Sequence, residues 1–338
     1  MGVRLQASGA VTETRNYFLV GGAGFIGSHF VDRLLAQDGG GHVTVYDNFS
    51  SGREWHLERH VGASRLHVVR GDASDLAALG DAMRGHHVVI HLASNPDIAR
   101  AATDPAIDFD QGTYLTHNVV EAMRITGARQ ILYASGSGVY GDLGEVEAHE
   151  DFGPLVPIST YGASKLAGEA LMSAYSHMFG LRGCVYRFGN VVGERQTHGV
   201  GFDFLRQLQS SPGRLRILGD GSQSKSYIHV SDVIDAVLLA ADVAGAARFR
   251  TYNVATGDYI TVREIAELAV ECTGLPAGAT EFVYAGGDRG WAGDVPIVRL
   301  NTDRIRSLGW HNKMTSRQAL SASMSGMLAD AASGRMLA

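Results

Sequence analysis

A glycine-rich segment close to the start of the chain limits the fold more than any other feature of the sequence. Residues 21–27 read GGAGFIG and directly follow the apolar run Tyr17–Val20. The apolar residues Ile26, Phe30 and Leu34 then recur at helical spacing. A glycine turn between a strand and a helix leaves backbone N–H groups and a helix N-terminus open to an anion. The segment therefore predicts a site for the pyrophosphate of a dinucleotide.

Short apolar runs alternate with helical patterns along the first half of the chain. This alternation is typical of an α/β fold, in which helices cover both faces of a parallel sheet. We therefore predict a Rossmann-type, doubly wound parallel sheet. The later predicted strands are His42–Tyr46, Leu66–Val69, Val88–Leu92, Gln130–Ala134 and Cys184–Phe188.

The regular alternation weakens after about residue 190, where glycine and proline punctuate the chain. We predict a dinucleotide-binding domain at 16–189 and a smaller α/β lobe, which binds the substrate, at 190–330. Tyr227–Val230, followed by apolar residues at helical spacing, predicts a strand and a helix within 225–255 that return to the main sheet. Residues 1–16 are polar and mixed, which predicts a loose tail and no secretory signal.

Acidic residues follow the second and third predicted strands, where a dinucleotide would lie. Asp47 comes twenty residues after Gly27 and is placed to accept hydrogen bonds from the ribose hydroxyls, which favours NAD over NADP. The nearby Arg53 keeps NADP open, and a strand-end turn is the alternative role for Asp47. The candidate NAD-binding residues are Gly21, Gly24, Phe25, Ile26, Gly27, Asp47, Asn48, Ser51, Gly52, Asp72, Ala73, Leu92, Ala93, Ser94, Tyr161 and Lys165.

Tyr161 and Lys165 are four residues apart, so a helix would place both side chains on one face. A nearby ammonium favours the phenolate, and acid–base catalysis near neutral pH needs the phenol pKa lowered by about 3 units. An oxidised nicotinamide would add positive charge. The hydroxyl-rich segment Ser135–Gly138 favours a catalytic role over an ordinary surface pair. Together with the dinucleotide site, these residues predict hydride chemistry.

Composition and charge narrow the class of protein. The 338 residues are 45% hydrophobic and 19% charged, with a formal net charge of −6, so no basic surface for nucleic acid is expected. No apolar stretch approaches the ~18 residues that cross a membrane. Cys184 and Cys272 are far apart, which predicts no disulfide and a reducing cytoplasm. His56 and His60 have a metal-capable spacing, but their charged surroundings predict an exposed helix face and no metal site.

These motifs together resemble the extended short-chain dehydrogenase/reductases. Within them, the chain is most similar to the NAD-dependent nucleotide-sugar epimerase/dehydratase family and to its UDP-glucose 4-epimerase branch. The likeness extends from Val20 to about Trp310. The segments that carry it are Val20–Gly27, Val45–Asn48, Gly71-Asp72, His91–Ala93, Val139–Gly141, Tyr161–Lys165, Arg187–Gly193, Leu218–Gly221, Tyr227–Asp232 and Gly287–Arg289.

The resemblance implies roles for individual residues. Tyr161 would be the acid/base at a sugar hydroxyl, and Lys165 would bind the nicotinamide ribose and lower the Tyr161 pKa. At Lys225 the family usually has Arg, so the contact to a diphosphate keeps its charge but loses a bidentate fork. The implied substrate-binding residues are Ser137, Tyr161, Asn190, Lys225 and Arg289.

One position departs from the family. The family's catalytic Ser or Thr lies four residues before the Tyr of the V-Y-G motif, and here that position is Gly136. Either Ser135 or Ser137 supplies the catalytic hydroxyl, or Tyr161 and water alone hold the substrate carbonyl. Dehydratases of the family carry an Asp-Glu pair after that Thr. This chain has Ser137-Gly138 instead, so elimination is disfavoured.

We therefore expect a NAD-dependent epimerase that inverts C4 of a nucleoside-diphosphate sugar, of UDP-glucose/galactose or UDP-uronic acid type, through a 4-keto sugar. The alternatives are a related nucleotide-sugar enzyme (a C2, C3 or C5 epimerase, a 4-keto reductase or a dehydratase) and a non-enzymatic NAD-binding regulator. Such regulators commonly lose the Tyr or the Lys that this chain keeps. The resemblance also implies a homodimer and no nucleic-acid or membrane partner. The candidate contacts of that dimer are apolar stripes that could equally belong to the core: Leu115, Val119, Val120, Met123, Leu166, Ala170 and Leu171.

Overall fold

The computed structural model describes residues 14–243, 247–276 and 278–335. The predicted loose tail therefore lies, up to residue 13, outside the described residues. In chain order the strands are β1 (Tyr17–Val20), β2 (Val43–Asp47), β3 (Leu66–Arg70), β4 (Val88–His91), β5 (Gln130–Gly136), β6 (Glu147–Ala148), β7 (Arg182–Phe188), β8 (Asn190–Val192), β9 (Arg214–Ile217), β10 (Ser224–Lys225), β11 (Tyr227–His229), β12 (Phe249–Val254), β13 (Ile260–Thr261), β14 (Glu281–Tyr284) and β15 (Arg299–Leu300).

Helices occupy most of the segments between the long strands. In chain order they are α1 (Phe25–Leu35), α2 (Leu76–Met83), α3 (Leu115–Thr126), α4 (Thr160–Phe179), α5 (Val200–Ser210), α6 (Val230–Ala241), α7 (Val262–Thr273), α8 (Asp303–Arg306) and α9 (Ser316–Ala332). Short 3-10 segments cover Glu54–His60, Ile98–Ala102 and Ser137–Tyr140, and a π-helical turn over Phe109–Tyr114 leads directly into α3.

The main sheet has seven strands in the order β3-β2-β1-β4-β5-β7-β12, and every neighbouring pair is parallel. The predicted α/β fold with a doubly wound parallel sheet is therefore confirmed. The order of the strands reverses between β1 and β4. In sheets of this kind, ligands bind in the crevice outside the carboxyl ends of the strands at that point.

The strand predicted near residue 227 is the main correction to the fold. Tyr227–His229 pairs with Asn190–Val192 in a separate two-stranded sheet and does not join the main sheet. The strand that returns to the main sheet is β12, which pairs with β7. An apolar run shows that a strand is buried but not which strand it pairs with, so the sequence could not make this distinction.

Apolar side chains cover the main sheet on both faces. One layer joins the sheet to α1 and α6, and the other joins it to α2, α3 and α4. Burying one such side chain stabilises the fold by about 1.5–3 kcal/mol. The largest buried side chains of the two layers include Phe30, Leu34, Leu79, Met83 and Met123.

A separate apolar cluster lies among α5, α7 and α9. The division of the chain at about residue 190 stays a prediction. Of the helices in the described ranges, none combines the length and the apolar composition that a bilayer crossing requires.

Candidate active site

The glycine turn between β1 and α1 is held by close backbone contacts. Gly21 has φ +83°, and a Cβ added to it would lie 2.8 Å from the backbone nitrogen of Ala93, at the end of β4. A Cβ on Gly27 would lie 2.5 Å from the carbonyl oxygen of Gly21. A side chain at Gly21 would therefore clash with the loop after β4, and one at Gly27 would push α1 away from the glycine turn. The turn therefore fits a dinucleotide pyrophosphate, which has to approach bare backbone N–H groups.

Asp47 and His56 bind the two peptide groups on either side of Ala23 in this turn. Asp47 accepts hydrogen bonds from the backbone N–H groups of Ala23 and Phe49, both at 2.8 Å, and burial raises its pKa. Each carboxylate oxygen keeps a further lone pair for a ribose hydroxyl. The Nδ1–H of His56 donates to the carbonyl oxygen of Ala23 at 2.8 Å. Asp47 is thus both a turn residue and a candidate cofactor ligand.

The prediction of an exposed helix face at His56 is wrong. Its side chain is 1% exposed, and burial lowers its pKa to about 4. The charged neighbours in the sequence hid this, because they point outward from the short 3-10 segment while His56 points at the glycine turn. His60 is bound to Asp32 at 2.7 Å. Among the described residues no group of three or more potential metal ligands is found.

Asp72 and Asn48 meet at the carboxyl ends of β2 and β3. The Asn48 amide donates to the Asp72 carboxylate at 2.9 Å and thereby lowers the Asp72 pKa, together with the backbone N–H of Ser74. The Asp72 carboxylate is therefore held as an acceptor at the edge of the sheet where a dinucleotide is expected. The other predicted NAD-binding positions lie at the same edge of the sheet, namely Ser51, Gly52, Ala73, Leu92, Ala93 and Ser94.

Tyr161 and Lys165 are brought together at the start of α4. Ser159 caps this helix by accepting a hydrogen bond from the N–H of Gly162 at 3.1 Å. The Lys165 Nζ lies 5.4 Å from the centroid of the Tyr161 ring and donates to the carbonyl oxygen of Ala134 at 2.9 Å. Both side chains thus lie on one face of α4, as the four-residue spacing predicts. The Lys165 ammonium contacts β5, and the Tyr161 hydroxyl hydrogen-bonds Ser94, which follows β4.

The two groups have strongly shifted pKa values. Burial raises the pKa of Tyr161 to about 12, against a hydrogen bond with Ser94 that acts to lower it. Burial lowers the pKa of Lys165 to about 8, while the charges of Asp108 and Glu169 act to raise it. Both shifts favour the uncharged form of the group. The direction at Tyr161 is opposite to the lowering expected from the Tyr-Lys spacing, because burial outweighs the attraction of a nearby ammonium.

The two candidates for the missing hydroxyl differ in their surroundings. Ser135 is 4% exposed and donates to Oε1 of Glu169 at 2.6 Å. The Ser135 hydroxyl therefore donates its hydrogen bond to a buried carboxylate and not to a substrate. This corrects the expectation that Ser135 supplies the catalytic hydroxyl. Ser137 is half-buried at the start of the 3-10 segment that follows β5. The backbone of Gly138 in this segment packs against α4, since a Cβ on Gly162 would lie 2.5 Å from its oxygen.

Three of the predicted substrate-binding residues, Asn190, Lys225 and Arg289, lie near one another. Lys225 forms an ion pair with Asp294 at 2.5 Å, and Arg289 donates to the carbonyl oxygen of the same Asp294 at 2.6 Å. Arg289 also pairs with Asp142 at 2.6 Å, across to the segment after the V-Y-G motif. Asn190 donates to the carbonyl oxygen of Ser226, next to Lys225, at 3.4 Å.

The sequence did not reveal the acidic partners of these cations or several buried polar residues. Asp142 and Asp294 follow glycines and carry no signal that distinguishes them from turn residues. Glu169 lies four residues after Lys165, so helical spacing from the Tyr-Lys pair points to it. Asp108 carries no such signal.

Residues 17–255 match the model of the NAD-dependent epimerase/dehydratase family. A UDP-glucose 4-epimerase of Mycolicibacterium smegmatis is 33% identical over 308 residues, which are 89% of this chain and 95% of that protein. A dTDP-glucose 4,6-dehydratase of Streptomyces griseus is 30% identical over 318 residues, which are 90% of this chain and 96% of that protein.

Solved structures of epimerases are similar to this chain over most of its length. A UDP-galactose 4-epimerase superposes with a TM-score of 0.82 at 35% identity, covering 94% of this chain and 99% of that one. The UDP-glucose 4-epimerase of Thermus thermophilus, solved as a complex with NAD, superposes with a TM-score of 0.81 at 30% identity. The match covers 92% of this chain and 98% of that one.

Proposed function

The chain belongs to the NAD-dependent epimerase/dehydratase family, and on that basis we propose that it inverts C4 of a UDP-sugar. The observation that carries the proposal is the buried Tyr161–Lys165 pair beside a dinucleotide cradle, with no carboxylate at positions 137 and 138. UDP-glucose and UDP-galactose are the first substrates to test, because the similar epimerases are named for them.

The residues of the site have separate roles in the proposed reaction. The glycine turn, Asp47 and Asp72 would hold NAD, and the chemistry that NAD supplies when bound is reversible hydride transfer. Tyr161 takes the proton of the sugar 4-hydroxyl and later returns one, while the Lys165 ammonium favours the phenolate. Ser137 donates a hydrogen bond to the oxygen at C4.

The absence of a carboxylate distinguishes epimerisation from dehydration. Elimination of water from the sugar needs an acid and a base at neighbouring carbons, in addition to the Tyr-Lys pair. The dehydratases of the family are expected to carry an Asp-Glu pair where this chain has Ser137-Gly138. Glu169 does not replace it, because both of its oxygens are bound to Arg187. Oxidation and re-reduction at C4 is the reaction that these residues support.

The test is direct. The NAD-bound protein is incubated with UDP-galactose, UDP-glucose and their N-acetyl and uronic forms, and inversion at C4 is followed by NMR. Tyr161→Phe should lower kcat by ~10²-fold or more, because the proton acceptor is lost. Tyr175→Phe is the matched control, since it removes a hydroxyl from the same helix that is bound to Glu121. A dehydrated product, or no inversion with any of these sugars, would refute the proposal.

A second reaction is favoured by one feature, the missing hydroxyl at Gly136. Without it, the 4-keto sugar could instead lose a proton from C3 or C5, the carbons next to the ketone, and be epimerised there. Solvent deuterium would then enter the sugar skeleton, whereas hydride return at C4 leaves the skeleton unlabelled. Mass spectrometry of the product distinguishes the two reactions.

We also propose a homodimer that uses the outer face of α3 and α4. These helices lie side by side, with the Tyr175 hydroxyl donating to Glu121 at 3.0 Å. Several large apolar side chains on or beside them are exposed, including Phe109 (61%) and Met178 (72%). Of the contacts expected from the sequence, Val119, Val120 and Met123 are fully buried in the core, so they are excluded as dimer contacts.

Met178→Lys should therefore shift the protein to monomer in sedimentation velocity, because it places a charge in an apolar contact. Val61→Lys, at a position that is 86% exposed elsewhere, should leave the oligomeric state unchanged. A reducing, cytoplasmic location belongs to the same proposal and is in keeping with the free thiols of Cys184 and Cys272.

A further inference from the structure

Asp108 is a buried carboxylate that has no cationic partner in the described residues. It is 1% exposed and lies directly before the π-helical turn at Phe109–Tyr114. Its oxygens accept one hydrogen bond from the Asn95 amide at 2.9 Å and one from the Thr160 hydroxyl at 2.7 Å. Both donors are neutral. A carboxylate this deeply buried is costly unless a positive charge compensates it.

Lys165 is a buried cation that likewise lacks an ion-pair partner among the described residues. Its side chain is 3% exposed, and its Nζ donates to the carbonyl oxygen of Ala134 without an ion pair to any described residue. Glu169, four residues further along α4, cannot balance it fully. Arg187 already binds Glu169 through two nitrogens, at 3.0 and 2.7 Å. The active site thus holds one buried carboxylate and one buried ammonium that, within the described residues, lack other ionic partners.

The hydrogen bonds of Asp108 join the two segments that flank the Tyr161 hydroxyl. Thr160 directly precedes Tyr161 at the start of α4, and Asn95 directly follows Ser94, which hydrogen-bonds Tyr161. The carboxylate also lies at the N-terminus of a 20-residue helix, where negative charge is favoured. Its position is therefore fixed from both sides of the catalytic phenol.

We propose that Asp108 is a positioning residue of the Tyr161–Lys165 pair. Its carboxylate holds the loop after β4 against the start of α4 and supplies the negative charge that the buried Lys165 ammonium otherwise lacks. This inference rests on the proposed function only in assigning acid–base chemistry to that pair.

The other ionisable groups around the pair are already neutral, paired or exposed. His91 is buried and neutral, because burial lowers its pKa to about 3. Tyr133 is neutral, because burial raises its pKa. Among the described residues, Glu169 on α4 is paired with Arg187. The charged side chains close to Asp108 in the chain are Asp97, Arg100, Asp104 and Asp110, which are exposed or partly exposed, and Arg100 pairs with Asp104.

Removing the charge of Asp108 has a predictable sign. A nearby carboxylate favours the ammonium of Lys165 and disfavours the phenolate of Tyr161, so its loss lowers the pKa of both groups. The acidic and the basic limbs of the pH–rate profile should therefore move together to lower pH, by roughly 0.5–1 unit. A purely structural role would lower the rate without moving both limbs in one direction.

The experiment compares Asp108→Asn and Asp108→Ser with the wild type, all with bound NAD. Asp110→Asn is the matched control, because it removes the same charge from the exposed side of the same turn. The first measurement is the pH dependence of kcat/KM. The second is the ultraviolet absorbance of the Tyr161 phenolate during a pH titration, with Tyr161→Phe as the background. This second measurement does not require that any sugar be turned over.

The expected result is an acid shift of both limbs and of the phenolate titration in the two Asp108 variants, with none in Asp110→Asn. Unshifted limbs and an unshifted titration would overturn the inference, and so would the failure of both neutral variants to fold while Asp110→Asn folds. If the wild type epimerises no sugar but the titration still shifts, the proposed function fails and the role of Asp108 stands.

Discussion

At position 136 the backbone is extended, and the space that a side chain would occupy is open. Its φ is −155°, and no described atom lies within 4 Å of a Cβ built there. The position follows Ser135 on the strand, so its side chain would leave the opposite face from the one that Glu169 occupies. The family's hydroxyl could therefore be restored without disturbing the core.

We expect Gly136→Ser to fold normally and to raise kcat several-fold, because a positioned hydroxyl adds a hydrogen bond to the oxygen at C4. Steady-state kinetics with the preferred UDP-sugar would measure this. Ser137→Ala is the companion variant. If Ser137 now supplies the hydroxyl, its loss should lower kcat in the wild type and cost much less in the Gly136→Ser background. Equal losses in both backgrounds would contradict that assignment.

At the scale of single residues, the sequence showed which side chains belong to the site better than it showed what surrounds them. The glycine turn, Asp47 and the Tyr-Lys pair were predictable, because their spacing follows from strand and helix geometry. The hydrogen bond from Ser135 to Glu169 and the burial of His56 could not be predicted. Both depend on which residues of distant segments meet in space, and one sequence does not contain that information.

At the scale of elements, the contact between the segment after β5 and the start of α4 fixes the distance between the candidate hydroxyl and the phenol. Gly162 makes that contact possible, since a Cβ would meet the oxygen of Gly138 at 2.5 Å and the side chain of Pro157 at 3.1 Å. An alanine usually stabilises a helix relative to glycine by about 1 kcal/mol. At Gly162 the clash should outweigh this gain, so that alanine lowers the free energy of unfolding.

We therefore expect Gly162→Ala to destabilise the protein by about 1–3 kcal/mol. It should also lower kcat by ~10-fold or more, because small displacements of catalytic groups are costly. Thermal unfolding and kinetics would measure the two effects. Gly80→Ala, inside α2 with no described atom within 4 Å of the added Cβ, should instead be neutral or stabilising. Equal behaviour of the two variants would show that the packing at Gly162 tolerates a methyl group.

Elements were also predicted unevenly. The first six strands of the main sheet were recognisable as short apolar runs, and their observed bounds lie within two residues of the predicted ones. The partner of β11 and the identity of the seventh strand were not predictable, because pairing of distant segments leaves no local pattern.

For the whole molecule, buried histidines contribute to the loss of stability in acid. Burial lowers the pKa of His29 and of His56 to about 4, against 6.5 for the unfolded chain. Between these values the unfolded state binds more protons than the folded state, so the free energy of unfolding falls as pH drops from 6.5 to 4. The loss is on the order of 3 kcal/mol for each histidine, since one pKa unit corresponds to about 1.4 kcal/mol.

The melting temperature should therefore fall steeply over this range. His56→Asn should flatten the dependence, whereas replacement of the exposed His67 by Asn should leave it as in the wild type. An unchanged slope in His56→Asn would mean that His56 does not enter the folded state as a neutral group. Calorimetry at a series of pH values would decide this.

The seventh strand of the main sheet has a consequence for biosynthesis. β12 pairs with β7 along its whole length, but it follows β7 in the chain only after β8–β11, α5 and α6. A chain that leaves the ribosome N-terminus first can thus assemble six strands while one long edge still lacks its neighbour. Unpaired edges of this kind are prone to association with other chains. The nascent protein should be most in need of chaperone protection in the interval before residue 254 emerges.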